Sequence, residues 1–234
     1  MAAKYKEIVE DLVRNIQQGK YDETRKLPRE EDLIDIYGVS RSTVRKAISV
    51  LVTQGYVYQV QGSGIFLRAT SGEDYISLER LKGLTRDFPD RKIESRVIHL
   101  EIQEAGEEMG KRLGIKPEEL VYYVKRVRVM DDEPFTVESS YYPKTVIPYL
   151  NEDILQSSFY SYVLNDLRLG IGFADKIIYA DKLDQETAKL LQLKKGDPAF
   201  IIDAQVYLTN GTMFEFSRSI HNYQTAKFLV NVNF

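Results

Sequence analysis

Hydrophobic residues recur at helical spacing three times before Gly55. Tyr5–Ile16 predicts a first amphipathic helix. A shorter second helix is predicted after Leu27-Pro28, where acidic residues suit the positive end of the helix dipole, and it ends at Gly38. A third helix is predicted over Arg41–Gln54, with Ser40 placed as its N-cap.

The chain then changes to short β-rich runs. Tyr56–Val60 and Ile65–Leu67 flank Gln61-Gly62-Ser63-Gly64, which predicts a hairpin with a glycine-rich tip. This order is typical of a winged helix-turn-helix, in which the third helix reads DNA. A small helical bundle with a solvated basic face would show the same periodicity. The tip lacks the Lys-Ser/Thr ending of a nucleotide-binding loop, which favours a wing.

A small, polar segment at Ala69–Asp74 indicates a domain boundary, and the pattern beyond it is mixed. Turn-forming residues at Asp131–Pro134 and Thr209–Gly211 predict hairpins and therefore antiparallel pairing. The predicted strands are Arg96–Ile102, Leu120–Met130, Phe135–Tyr142, Phe173–Ala180, Ala199–Thr209, Thr212–Ile220 and Phe228–Val232. The predicted helices are Gly106–Leu113, Ile147–Leu155, Phe159–Leu167 and Gln185–Leu193, the last with Asp184 as N-cap.

These elements predict an α+β chain of two domains. Residues 1–68 would form the winged helix-turn-helix, residues 69–80 a linker, and residues 81–234 an antiparallel sheet with flanking helices. Leu113–Pro117 and Leu193–Pro198 each follow a helix and precede a strand, which suggests a duplicated helix–hairpin unit.

Composition narrows the classes of function. Cysteine is absent and there are only two histidines, so disulfides, thiolate metal sites and cysteine nucleophiles are excluded, and no metal site or cofactor is expected. The net charge is −3, yet no carboxylate lies between Asp35 and Glu73, where four basic residues occur. Such segregation suits local binding to phosphates. We find neither a membrane-spanning run nor a signal peptide, which predicts a cytoplasmic protein.

Charged residues on the predicted strands indicate a ligand site. Alternation along Leu120–Met130 puts Arg126 and Arg128 on one face, where two guanidinium forks could hold a phosphate. Carboxylates on other strands, at Glu138 and Glu215, could accept hydrogen bonds from sugar hydroxyls or an amine. The alternative is that these are solvated charges or structural ion pairs, for instance Arg126 with Glu138.

Ordered motifs in the first domain resemble the DNA-binding module of the GntR family of bacterial regulators. They are Leu27–Glu30, Tyr37–Arg41, Thr43–Ala47, Gly55 and Gly62–Gly64. The resemblance implies symmetric dimers on a palindromic double-stranded operator. It implies DNA contacts from Arg29 (where the family often has serine), Arg41, Thr43, Arg45 and Lys46, and from Gln61 and Gly62 at the wing tip. We add Ser40 and Ser42 from the same turn and exposed face.

The second domain resembles the UTRA effector-binding domain of the HutC subfamily. The matching pieces are Tyr122–Arg128, Glu138–Pro143, Ser158–Tyr160 and Glu215–Ser219. The resemblance implies a chorismate-lyase-like antiparallel sheet that binds a small metabolite, often a sugar phosphate. By position in the family's motifs, the phosphate of the ligand would be held by Arg126, Arg128, Ser158 and Tyr160. The other polar groups of the ligand would be held by Glu138 and Glu215. Thr85 could replace a serine that many members have at Gly83, and His221 stands where an aromatic residue is common.

Together these features predict a homodimeric DNA-binding transcriptional regulator, a repressor modulated by a small metabolite. One alternative is a C-terminal domain that only dimerises. Another is a chorismate-lyase-like enzyme in which Glu138, Glu215 and His221 serve as acid and base. No hydrolase motif contains either histidine and no cofactor signature occurs, so we expect no catalytic residues.

Overall fold

Three helices and a hairpin make up the N-terminal unit of the protein in a computed structural model, which describes residues 4–68, 75–78, 88, 91–230 and 232. The chain divides into two units, of which the first comprises residues 1–74 and 230–234 and the second residues 75–229. The first unit contains α1 (Lys4–Gln17), α2 (Glu30–Tyr37), α3 (Arg41–Thr53) and the antiparallel strands β1 (Val57–Val60) and β2 (Gly64–Leu67). This is the predicted winged helix-turn-helix.

Local signals explain where α2 ends and α3 begins. Gly38 adopts a left-handed φ of 59°, and its N–H donates to the carbonyl of Ile34, so α2 ends there. The Ser40 side chain accepts a hydrogen bond from the Thr43 backbone N–H, as predicted for an N-cap. One face of α3 then enters the core, through Val44, Ala47, Ile48 and Leu51.

Six antiparallel strands form the sheet of the second unit. Their bounds are β4 Ile93–Glu104, β5 Leu120–Met130, β6 Glu133–Pro143, β7 Ile171–Lys182, β8 Pro198–Leu208 and β9 Met213–Asn222. They lie in the order β4-β5-β6-β9-β8-β7. All six were predicted, with ends that differ by at most three residues, and they confirm the α+β class.

The sheet consists of two similar halves. The first half is β4, α4 (Gly106–Leu113), β5 and β6, and the second is β7, α7 (Gln185–Leu190), β8 and β9. The halves meet where β6 pairs with β9. This arrangement matches the duplicated helix–hairpin unit predicted from the sequence.

A short parallel pair lies apart from the large sheet. β3 (Ile76–Ser77) pairs with β10 (Phe228–Leu229). We predicted no strand at Ile76–Ser77, and β10 is shorter than the predicted Phe228–Val232. Ile76 belongs to an apolar cluster with Phe88, Met130, Phe135 and Ala226.

The helix predicted over Ile147–Leu155 was wrong in its first half. The helix there, α5, spans only Glu152–Gln156. Pro148 disfavours helical backbone at the residue before it, and Ile147 is instead buried outside any helix. Asn151 is the true N-cap, because its side chain accepts a hydrogen bond from the backbone N–H of Ile154 at 3.0 Å.

Two other helices differ from their predicted extent. In place of a helix over Phe159–Leu167, the chain forms α6 (Phe159–Ser161) and then a π-helical turn at Tyr162–Asp166. The helix predicted over Gln185–Leu193 ends at Leu190, since Gln192 has a left-handed φ of 56°. No helix in the described ranges is long and apolar enough to span a bilayer.

The two faces of the sheet carry different residues. We call the face that presents Arg126, Glu138 and Ser219 the inner face, because these residues lie side by side on β5, β6 and β9. The opposite, outer face presents Val127 and Val137. α7 packs on the outer face, in a cluster with these two valines. Leu155 of α5 and Phe159 of α6 cover part of the inner face, where they belong to one apolar cluster with Tyr122, Val124 and Tyr142 of the strands.

Candidate functional sites

The exposed side of α3 carries the predicted DNA-contacting residues. Arg41, Ser42, Arg45 and Lys46 are all exposed, and Thr43 is half-buried. Because the opposite side of α3 is packed in the core, these side chains project together from one rigid helix. A helix presented in this way is suited to the major groove of DNA.

Both arginines on this side of α3 form ion pairs with glutamates of α2. Arg41 Nη2 lies 3.3 Å from Glu31 Oε1, and Arg45 Nε lies 3.5 Å from Glu30 Oε1. The two arginine side chains remain 62% and 69% exposed. Exposed pairs of this kind contribute little to stability and are screened by salt. A phosphate or a guanine edge can therefore compete for either guanidinium at small cost.

The turn before α3 holds its hydroxyl groups close together. Ser40 Oγ lies 2.9 Å from both Ser42 Oγ and Thr43 Oγ1. The structure therefore gives Ser40 a capping role in addition to any contact with DNA.

Arg29 immediately precedes α2. Its backbone N–H donates to Asp32 Oδ2 at 3.0 Å, and its side chain is exposed.

The hairpin tip is exposed at Gln61 and Gly62. Gly62 has a left-handed φ of 75°, and a β-carbon there would meet nothing within 4 Å. Below the tip, Lys26 Nζ lies 5.1 Å from the centre of the Phe66 ring. Lys26 was not predicted as a DNA contact, because its position beside the hairpin depends on a bridge to Phe66.

Buried charged residues form a row across the inner face. Arg126 and Glu138 are directly opposite on β5 and β6, and Arg126 Nε donates to Glu138 Oε2 at 2.6 Å. Arg126 Nη1 also donates to the carbonyl of Leu155, at the end of α5. Although burial opposes it, the charges of Arg126 and Arg128 hold the pKa of Glu138 below its ordinary value. The ion pair that we considered as an alternative to ligand binding is thus present.

Arg128 lies in the next row, with Thr136 and His221 beside it on β6 and β9. It is only 5% exposed. Burial lowers its pKa, and Arg126 acts in the same direction, because two guanidinium groups face one side of the sheet. An anion between them would relieve this cost.

Glu215 lies on β9 and receives a hydrogen bond from α6. Tyr160 Oη donates to Glu215 Oε2 at 2.9 Å. Glu215 is 5% exposed, and burial raises the pKa of its carboxyl to about 7 despite this hydrogen bond. Both residues were predicted as ligand residues, but their contact with each other was not predicted.

His221 is buried between aromatic rings. The rings of Phe135 and Phe228 meet it nearly edge-on, with centroid distances of 6.0 and 5.1 Å. Burial lowers the pKa of its imidazole to about 4, so the ring is neutral at pH 7. Its Nδ1 has no hydrogen-bond partner among the residues that the structure describes. Such an atom could bond a polar ligand group.

The remaining predicted ligand residues have different outcomes. Ser158 Oγ accepts from the backbone N–H of Ser161 and caps α6, two residues before Tyr160. Thr85, with Gly83, lies outside the described residues.

Lys176 was not predicted as a ligand residue, yet the register places it on the inner face of β7 beside Ala204. Its strand was predicted, but the pairing that orients it is not readable from a local pattern.

A separate cleft of about 470 Å³ opens on the outer side of the sheet. Arg112 crosses this side with its guanidinium 4.9 Å from the centre of the Phe216 ring. The predicted ligand residues that the structure describes do not line the cleft. Its polar lining is Lys111, Arg112, Thr145, Gln205, Tyr207 and Thr212.

Two family models match the chain. Residues 4–67 match the model described as bacterial regulatory proteins, gntR family. Residues 90–227 match the UTRA domain. The two matches fall on the helix-turn-helix unit and on the sheet unit respectively.

Similar proteins cover nearly the whole chain. The uncharacterized HTH-type transcriptional regulator YydK of Bacillus subtilis strain 168 is 36% identical over 98% of this chain and 98% of its own. The HTH-type transcriptional repressor NagR of the same organism is 32% identical, over 93% and 89%. The mannosyl-D-glycerate transport/metabolism system repressor MngR of Escherichia coli K12 is 28% identical, over 96% and 93%.

The crystal structure of YydK shares this fold. It superposes with a TM-score of 0.83 at 34% sequence identity, covering 98% of this chain and 99% of that one.

Proposed function

Because the chain belongs to the GntR family of bacterial regulatory proteins and carries a UTRA domain, we propose that it represses transcription in response to a phosphorylated sugar. Its relatives are HTH-type transcriptional regulators and repressors, and the chain is accordingly a DNA-binding regulator. The identity of the effector as a sugar phosphate, its binding residues and the dimeric state are parts of the proposal.

The exposed face of α3 carries the DNA-binding part of the proposal. Arg41, Arg45 and Lys46 project from a helix whose other side is fully packed, and Gly62 presents an open wing tip. We propose that α3 enters the major groove of DNA. Near the sugar-phosphate backbone of the DNA we place Arg29, Ser40, Ser42 and Thr43, and in the minor groove we place Gln61.

The buried polar row of the inner face carries the ligand part. Arg126 and Arg128 supply forked donors of the kind that phosphate accepts. Glu138 and His221 lie in the same rows of the sheet as these arginines, and Glu215 lies within electrostatic range of Arg126. Their oxygen and nitrogen atoms are suited to hydroxyl groups. The name of MngR, a mannosyl-D-glycerate transport/metabolism system repressor, likewise refers to a sugar derivative. We include Thr85, Ser158 and Tyr160 in the site on the family resemblance.

We infer that the protein acts in the cytoplasm as a homodimer. One winged module covers a half-site, so a symmetric dimer is needed for an inverted repeat. We assign no catalytic role to Glu138 or Glu215, since relatives over the whole chain are regulators and both carboxylates have fixed partners at Arg126 and Tyr160.

Selection from a random duplex library tests the DNA-binding part. The full chain should enrich an inverted repeat, and sedimentation should show two chains per duplex at micromolar protein. Enrichment of no sequence, or a single chain on an asymmetric site, would contradict the proposal. A shuffled duplex of the same composition is the control for binding to phosphates alone.

A further inference from the structure

Cationic side chains lie on both sides of the inner face. Arg126 and Arg128 are on β5, and Lys176 is on β7, four strands away in the sheet. At the usual spacing between strands, four steps correspond to about 19 Å between backbones. The register puts Lys176 on the same face, through its pairing with Ala204 and the pairing of Ala204 with Ser217.

Lys176 extends toward the end of the face where His221 lies. Its Nζ donates to the carbonyl of Leu78 at 3.0 Å, directly after β3. β3 pairs with β10, whose Phe228 packs against the His221 ring. Burial, and in the same direction the charge of Lys176, lower the pKa of His221 against the opposing charge of Glu138.

The polar groups between the two cationic sides suit an uncharged, hydroxylated chain. Thr136 and His221 follow Arg128 along one row, and Glu138 and Ser219 follow Arg126 along the other. Glu138 is already neutralised by Arg126. A ligand that crosses this face would therefore meet cations at its two ends and hydrogen-bonding groups in its middle.

We propose that the effector carries two acidic groups, a phosphate held by Arg126 and Arg128 and a carboxylate held by Lys176. The ligand class is the phosphorylated sugar acids. This inference rests on the proposed function, because it extends the same inner-face site. An ionised carboxylate is a favourable acceptor for the ammonium, because hydrogen bonds to an ionised acceptor are the stronger ones.

Two open-chain probes differ only at the end that Lys176 would contact. 6-Phosphogluconate has a carboxylate where glucitol 6-phosphate has a neutral alcohol. Calorimetric titration of the full chain should show that 6-phosphogluconate binds at least tenfold more tightly. In Lys176→Met this preference should fall below threefold, while the affinity for glucitol 6-phosphate changes little.

Two variants separate ligand contact from structural support. Lys176→Arg keeps a cation and should keep the preference. Lys125→Met removes the same charge from the outer face, where Lys125 contacts Glu186, and should also keep it. If Lys176→Met weakened both probes equally, or kept the tenfold preference, Lys176 would be a structural residue and the inference would be wrong.

The outcome for wild type distinguishes this inference from the function on which it rests. Equal binding of both probes would overturn the inference and leave a sugar-phosphate site in place. No binding of either probe or of glucose 6-phosphate would contradict the sugar-phosphate proposal, and the inference with it.

Discussion

Arg126 and Glu138 face each other on neighbouring strands and form a largely buried ion pair, with Arg126 Nε donating to Glu138 Oε2 at 2.6 Å. Their side chains are 11% and 17% exposed. The pair has two consequences. It holds the guanidinium in a fixed orientation toward the proposed phosphate, and it makes each residue dependent on the other for stability.

Removal of Arg126 alone should therefore destabilise the second unit. Arg126→Ala leaves Glu138 buried without its cation, and breaking a buried pair in this way costs about 3 kcal/mol or more. The double variant Arg126→Ala with Glu138→Gln should recover at least about 1 kcal/mol, because no uncompensated charge remains. Chemical denaturation measures both values. Equal stability of the single and double variants would show that the pair is not coupled.

Arg41 and Arg45 should each contribute to specific DNA binding. Replacement of either by Ala should weaken binding to the selected duplex by about 1–3 kcal/mol, since each removes a guanidinium from the exposed face of α3. Arg14→Ala is a matched control, because Arg14 is similarly exposed, at 65%, but lies on α1. Fluorescence anisotropy gives the affinities. Intact affinity in both α3 variants would contradict the recognition-helix assignment.

The wing tip should require a residue that accepts a left-handed backbone. Gly62→Val is expected to weaken DNA binding, because a β-branched residue at a φ of 75° is strained even where space is open. Gly62→Asn is the control, since asparagine tolerates this conformation. We expect the valine variant to bind the selected duplex more weakly than the asparagine variant. Equal binding by the two variants would show that tip conformation is unimportant.

Stability should depend on pH through Glu215. Its pKa is about 7 in the folded protein against an ordinary 4.5, so the folded state binds more protons between these values. The free energy of unfolding therefore falls as pH rises through this window, by about 3 kcal/mol in total. Glu215→Gln removes this loss while it keeps an acceptor for Tyr160.

The free energy of unfolding of Glu215→Gln relative to that of the wild type should accordingly increase with pH. Between about pH 5.5 and pH 8, the difference in unfolding free energy should increase by about 2 kcal/mol. Denaturant titrations at the two pH values measure it. A difference that is constant across this range would show that Glu215 titrates normally.

The N-terminal unit was predicted almost completely because its signals are local. Ser40 follows Gly38 by two residues, so a left-handed stop and an N-cap stand together in the sequence. The same applies to the strands, whose alternation placed Arg126 and Arg128 on one face. At Asn151 a local signal was present but was not used. The hydrophobic spacing predicted a helix that continued through Pro148, and Asn151 was not recognised as the N-cap.

Contacts between distant segments were not predictable in this way. β3 is two residues long and exists through pairing with β10, about 150 positions later. Lys176 reaches the inner face only because β7 pairs with β8 in one register. The Tyr160–Glu215 hydrogen bond likewise joins α6 to β9. A sequence pattern indicates which residues share a strand face, but the neighbouring strand is set by the whole fold.

We propose that a phosphorylated sugar changes DNA binding through the inner face. The most direct test measures anisotropy of the selected duplex bound to the full chain while a sugar phosphate panel, including glucose 6-phosphate and 6-phosphogluconate, is added. Release should require the phosphate, so neutral glucose should have no effect. The variant Arg126→Ala with Glu138→Gln should bind the duplex normally and lose the response. A normal response in that variant, or release by neutral glucose alone, would contradict the account.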